Sequence, residues 1–192
     1  MFISYNEACA RDCSTLEQDL VLCEKAGFDY IEIRLDMLTD YLKRHTVEEL
    51  AAFFCTSRLK PHAFNALYLY PEFLSEGDDE ARQKELLEEF RLGCEVGRAI
   101  GSHYFIIVPP LQRDPAGGPY TGSWEDTFSN CVRILKELSR RAEPYDMNLC
   151  FELVGFERSS VRSIGQADAV VRAVDRPNVG FVFDSYNIFL NG

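Results

Sequence analysis

Leu149-Cys150-Phe151-Glu152-Leu153-Val154-Gly155 is a short apolar run with one carboxylate in its middle. Its residues suit a buried strand, and a charge inside such a run is costly to bury unless something pairs with it or coordinates it. The pattern returns in Val179-Gly180-Phe181-Val182-Phe183-Asp184-Ser185, now with the acid at the end of the run. Two strands that each deliver a carboxylate near the C-terminal end suggest a shared site for a hard or borderline metal cation. Either acid alone reads slightly better as the point where its strand leaves the core. The pair, set in an alternating chain, favours the site.

Outward from these runs, the chain alternates strands with amphipathic helices. Phe2–Asn6 and Tyr30–Arg34 read as strands, as do His62–Leu67 and Tyr104–Val108. Between them come helix-start signals of the Ser/Thr-x-x-Glu/Gln type: Ser14 with Glu17, Thr46 with Glu49 and Ser163 with Gln166, joined by Ser123 with Asp126. In such boxes the two side chains satisfy amide groups that a helix start otherwise leaves orphaned. Gly27 suits the left-handed position after the first helix, and residues 78–100 form a long helix stopped by Gly101. Residues 112–122, rich in Gly and Pro, read as a loop. Strand–helix alternation means parallel βαβ units, and no glycine-rich phosphate loop follows the first strand. The expected fold is therefore α/β, of the (β/α)8 TIM-barrel type, with about six βα units and parallel strands in sequential order. On that reading Asn6, Arg34, Asn65, Glu152 and Asp184 all gather at strand C-terminal ends, the rim where barrels keep their functional groups.

Composition narrows the class. With 46% apolar residues in 192, the chain can bury a sizeable core in one domain, 1–192. A net charge of −11 argues against nucleic acid, which needs a concentrated cationic surface. There is no membrane-length apolar run and no signal segment, so a cytoplasmic location is expected. Seven cysteines, an odd number scattered through an α/β-like chain, read as reduced structural thiols. His62 and His103 fall at strand starts, the stability end of a barrel, and His45 lies in a connection between helices. Trp124 reads as the core anchor of its helix and Glu157 as a loop surface charge.

Several stretches carry a resemblance: Tyr5-Asn6-Glu7-Ala8, the segment from Leu22 to Arg34, Asn65-Ala66-Leu67, Ala142-Glu143-Pro144-Tyr145, Phe151–Gly155, and Asn178–Ser185. Together they resemble the xylose-isomerase-like sugar phosphate isomerase/epimerase barrels, most closely the inosose (2-keto-myo-inositol) isomerases. The resemblance implies a divalent cation (zinc, manganese, magnesium or cobalt) held by a Glu, an Asp, a His and a second Glu. Glu152 matches the first ligand and Asp184 the second, and the other two would belong to strands beyond Gly192. A complete barrel takes about 250 residues. The chain is thus expected to be the N-terminal three-quarters of one, inactive alone, with exposed strand edges that favour self-association.

The implied chemistry is proton transfer between the carbons of an α-hydroxy ketone through an enediolate, on a small polyol or sugar. Glu152 is the expected base as well as a ligand, while Asn6, Arg34, Asn65 and Asn187 are the candidates for substrate hydroxyls. Asn187 stands where many relatives place a His; its amide can donate a hydrogen bond but cannot shuttle a proton near neutral pH. Inosose dehydration or sugar epimerisation on the same scaffold, and a non-catalytic barrel fragment, are the alternatives.

Overall fold

The computed structural model describes residues 1–10, 13–69, 80–112 and 118–191. Six strands form one sheet in sequence order: β1 (Ser4–Asn6), β2 (Tyr30–Arg34), β3 (Lys60–Tyr68), β4 (Tyr104–Val108), β5 (Asn148–Glu152) and β6 (Val179–Val182). Every neighbouring pair is parallel. Parallel neighbours require crossovers, and helices supply them. These are α1 (Leu16–Ala26), α2 (Leu35–Tyr41) with α3 (Val47–Thr56), α4 (Glu80–Ile100), α5 (Trp124–Ala142) and α6 (Ile164–Val174). A last helix, α7 (Ser185–Leu190), follows β6. Sequential order makes this the wall of a barrel and excludes the doubly wound alternative. Among the described residues β1 and β6 do not pair, and the barrel is not closed.

Side-chain alternation assigns the two faces. Ile31, Ile33, Phe64, Phe105, Ile107, Leu149 and Phe151 point to the helices and bury against Leu20, Leu50, Leu86, Leu135 and Val170 in the main core. The opposite parity faces the barrel interior, where Ala63, Ala66, Ile106, Val108 and Val154 make a smaller cluster with Cys150 and Val182 beside it. Glu32 and Glu152 share that inward parity. At the strand starts, the rings of Phe2, Tyr30, His62 and Tyr104 form a ladder with centroid spacings of 5.7, 5.6 and 5.7 Å. His62 is therefore part of the barrel floor, away from the rim.

Three of the four expected helix starts occur where the spacing put them. Thr46 and Ser163 form full capping boxes with Glu49 and Gln166, and Ser123 Oγ accepts from Asp126 N at 3.1 Å. Gly27 ends α1 at φ 84°, the left-handed region that a side chain disfavours. Removing the Thr46 box by Thr46→Ala is expected to cost about 1 kcal/mol in urea denaturation.

The first start differs from the expectation. Thr15, not Ser14, caps α1, accepting from Gln18 N, while Ser14 Oγ donates to Asp19 Oδ2 at 2.9 Å. Asp19 is buried on the inner face of α1, and a buried carboxylate without a donor would cost more than a lost cap. β3 starts before Pro61, and the register shift at Ile31/Glu32 lies beside that residue, which has no N–H to give the ladder. β6 stops two residues short of Asp184, whose Oδ1 instead caps α7 by accepting from Tyr186 N at 2.8 Å. Neither α2 nor α7 is signalled by a capping box. The start expected for α4 at residue 78 and part of the expected 112–122 loop lie outside the described residues.

All seven cysteines are free. Burial pushes the thiols of Cys94 and Cys131 up to about 12, which keeps them protonated and inert. Cys55 is exposed, because α3 turns it to solvent, so it is not a structural thiol of the core.

Candidate active site

The C-terminal ends of β2, β3, β5 and β6 bring polar groups together on the inner rim. Glu152 is the last residue of β5, half-buried and facing inward; Asp184 sits two residues beyond β6 at the start of α7. Between them lies Asn187, buried on α7. Its Nδ2 donates to Asp184 Oδ2 at 2.8 Å and reaches Glu152 Oε1 at 3.5 Å, while its Oδ1 accepts from Gly155 N at 3.1 Å. One amide thus bridges both carboxylates. Burial lifts the Glu152 carboxyl to about 7, and the charges of Asp184 and then Glu32 add to the rise. Burial and the proximity of these acids thus make Glu152 and Glu32 harder to ionise.

Glu32 is the residue that the sequence reading passed over. It lies inside the barrel on β2 and accepts from Asn65 Nδ2 at 2.6 Å. Burial pushes its carboxyl up; Asn65 opposes that, and Asp184 adds to it. The signal was present, since Ile31-Glu32-Ile33 has the same acid-between-apolars form that singled out Glu152.

Arg34 ends β2 with its guanidinium forked onto Asp36: Nε donates to Oδ1 at 2.9 Å, and Nη2 pairs with Oδ2. Its Nη1 is buried without a partner among the described residues. Asn65 directs its Nδ2 to Glu32. Asn6 uses its side-chain oxygen to accept from Ala8 N at 2.8 Å, and no bond to its Nδ2 group occurs among the described residues.

Glu7, which directly follows β1, is fully buried behind this rim. Its Oε2 accepts from the backbone N of Arg34 at 2.8 Å, which ties β1 to the end of β2. Oε1 has no partner among the described residues. Burial raises the Glu7 carboxyl to about 8, with the nearby Asp19 adding to the shift and the Arg34 amide opposing it.

Over the site, the loops after β4 and β5 are stitched together. Leu111 and Ser159 form an antiparallel bridge, Gln112 N donates to Arg158 O, Ser160 N donates to Pro110 O, and Arg158 Nη1 donates to Gln112 O. Tyr120 N also donates to Glu157 O at 2.9 Å. Trp124 packs at the edge of the main core, 5.7 Å from the Phe128 ring, the anchoring place expected for it.

Inward carboxylates joined through one amide fit the carboxylate half of a hard-cation site. No group of three His, Cys, Asp or Glu close enough to hold an ion occurs among the described residues. Sequential parallel strands with acids on the C-terminal rim define a scaffold of the TIM-barrel class. The chain belongs to the xylose isomerase-like TIM-barrel family, whose pattern matches residues 20–192. It is 39% identical over its whole length to an inosose isomerase of Bacillus velezensis and 37% identical to one of Halalkalibacterium halodurans. It spans 65% and 64% of those relatives' lengths. Among solved structures, the IOLI protein with a binding zinc atom is 37% identical and superposes with a TM-score of 0.86, covering all of this chain and 66% of that one. No helix among the described residues is long and apolar enough to cross a membrane.

Proposed function

We propose that this chain provides the Glu152/Asp184 side of a metal-dependent polyol isomerase site that interconverts inososes by proton transfer. The observation that carries the reading is the pair of inward carboxylates bridged by Asn187, on a chain 37–39% identical to inosose isomerases. Glu152 and Asp184 would hold a divalent cation, which when bound supplies Lewis-acid stabilisation for charge developing on the ketone oxygen. Two carboxylate ligands do not choose among zinc, manganese, magnesium and cobalt.

The remaining work falls to side chains. Glu152 would take the proton from the carbon beside the carbonyl and return it to the neighbouring carbon. Arg34 offers its unpartnered Nη1 to a substrate oxygen, a charge-assisted donor that suits a developing oxyanion better than a neutral hydroxyl. Asn65 fixes its Nδ2 on Glu32 and presents its carbonyl oxygen to a hydroxyl donor, and Asn6 brings its Nδ2. Such a set recognises a small neutral polyhydroxy ketone. A phosphate would call for more cations than these residues supply.

The test is solvent exchange. Inosose is incubated in heavy water with a divalent cation, and deuterium at the carbons flanking the ketone is followed by proton NMR. Because the described residues supply two of the four implied ligands, the assay uses this chain and the same chain extended by the C-terminal third of a relative. Metal-dependent exchange and isomerisation are expected of the extended form, with none from the 192-residue chain alone. An extended protein that binds the cation but leaves inosose unexchanged would refute the reading.

A further inference from the structure

The polar group at the site with every side-chain atom committed is Asn187. An Asn amide is ambiguous in principle, because its oxygen and nitrogen differ little in shape, and its hydrogen bonds must decide which is which. Here they do. Gly155 N can only donate, so the atom facing it at 3.1 Å is Oδ1, and Nδ2 is turned onto Asp184 and Glu152. The contact is also sterically enforced. A Cβ on Gly155 would run into the backbone oxygen of Asn187 and come within 2.8 Å of Leu190 Cβ, so the β5 loop lies directly on α7 only because residue 155 is glycine.

Asn187 is 8% exposed, which leaves little of it for a substrate. We propose that Asn187 is a positioning residue: its amide, oriented by Gly155, holds Glu152 and Asp184 side by side in readiness for a cation. The proposal rests on the metal reading above and adds a role distinct from the substrate contact expected at this position. The physical logic is that of partners which hydrogen-bond a metal's ligands. Two carboxylates brought together repel; a neutral donor shared by both keeps their oxygens converged at little cost, and withdrawing it lets the side chains splay. Losing such a partner typically weakens metal affinity by about 10–100-fold. An amide does this without adding charge, where an imidazolium would compete with the cation for the same field.

The experiment is a titration of the extended protein with Mn2+, followed by melting temperature, because a ligand that binds the folded state stabilises it in proportion to the logarithm of its occupancy. Mn2+ is chosen because it prefers oxygen ligands and leaves exposed thiols alone. Asn187→Leu keeps the volume and removes the amide. Gly155→Ala keeps the amide and displaces the backbone that orients it, so one variant decides if the other fails to fold. Both are expected to move the Mn2+ midpoint to concentrations about 10–100-fold higher. Thr46→Ala, whose side chain bonds only within its own helix start, should lower the melting temperature at every concentration and leave the midpoint in place. Variants of Asn187 and Gly155 that behave like Thr46→Ala would make Asn187 a purely structural residue and overturn the proposal. A wild-type protein with no response to Mn2+ would overturn it together with the metal reading, while a wild-type response with an unmoved variant midpoint overturns the positioning role alone.

Discussion

Glu152→Gln is expected to lower metal-dependent proton exchange on inosose in the extended protein by about 10²–10⁴-fold, the usual contribution of a positioned acid–base group. Gln keeps the volume of Glu and an oxygen that can still accept from Asn187, so the cavity keeps its shape. What it loses is the charge that binds the cation and the basicity that takes the proton. The same substitution should not lower thermal stability at neutral pH in the absence of metal. Burial and the charges of Asp184 and Glu32 already disfavour the Glu152 carboxylate, so a neutral side chain there relieves repulsion. Stability held and turnover lost is the expected signature. Exchange equal to that of the unsubstituted protein would remove Glu152 from the chemistry.

A second large effect is expected at Glu7, in the pH dependence of folding. Its carboxyl is raised from an ordinary 4.5 to about 8 by burial against Asp19, so the folded protein holds a proton there that the unfolded chain releases. A group raised in this way contributes stability that is complete below about 4.5 and is lost as pH climbs to about 8. Within that window unfolding free energy should fall by about 1.4 kcal/mol per pH unit for the one proton, before other groups are counted. Glu7→Gln mimics the protonated side chain: its oxygen can still accept from Arg34 N, and its NH2 can donate to Asp19. The variant should therefore flatten the decline and be more stable than the unsubstituted protein at pH 8, measured by urea unfolding across pH 5–9. Parallel stability curves for the two proteins would show that Glu7 is ionised in the fold.

The alternation of the chain was legible because it rests on local signals. Thr46, Ser123 and Ser163 mark helix starts through side chains that bond three residues away, and Gly27 marks an end through a backbone angle; none needs knowledge of a distant contact. Sequential parallel order followed from those units and from the absence of a phosphate loop. What stayed hidden depends on partners far along the chain. Ser14 and Thr15 compete for the cap of α1, and the choice turns on whether Asp19 is buried, which only the packed sheet decides. Glu7 looks like a strand-end polar residue until β2 brings the Arg34 amide to it across 27 positions.

The candidate site divides the same way. Glu152 and Asp184 stand out because each interrupts or ends an apolar run, a feature visible in seven consecutive letters. Their association through Asn187 is not visible, since it requires α7 to fold back onto Gly155. Glu32 is legible by the same feature: an acid between Ile31 and Ile33 carries the signal that an acid between Phe151 and Leu153 does. The resemblance supplied the ligand order, which no pattern in the residues could have done.

The stitching of the loop after β4 to the loop after β5 bears on how such a protein can diversify. Barrel enzymes change substrate by exchanging rim loops one at a time on a constant wall. Here Pro110, Leu111 and Gln112 share backbone bonds with Arg158, Ser159 and Ser160, so the two loops are inherited as a single ribbon. Substitutions on one side of that ribbon will be read through the other, and their effects on selectivity will not add. A loop transplanted from a relative would arrive without the partners of these bonds. Grafts and recombination libraries on this scaffold should move both loops together or neither.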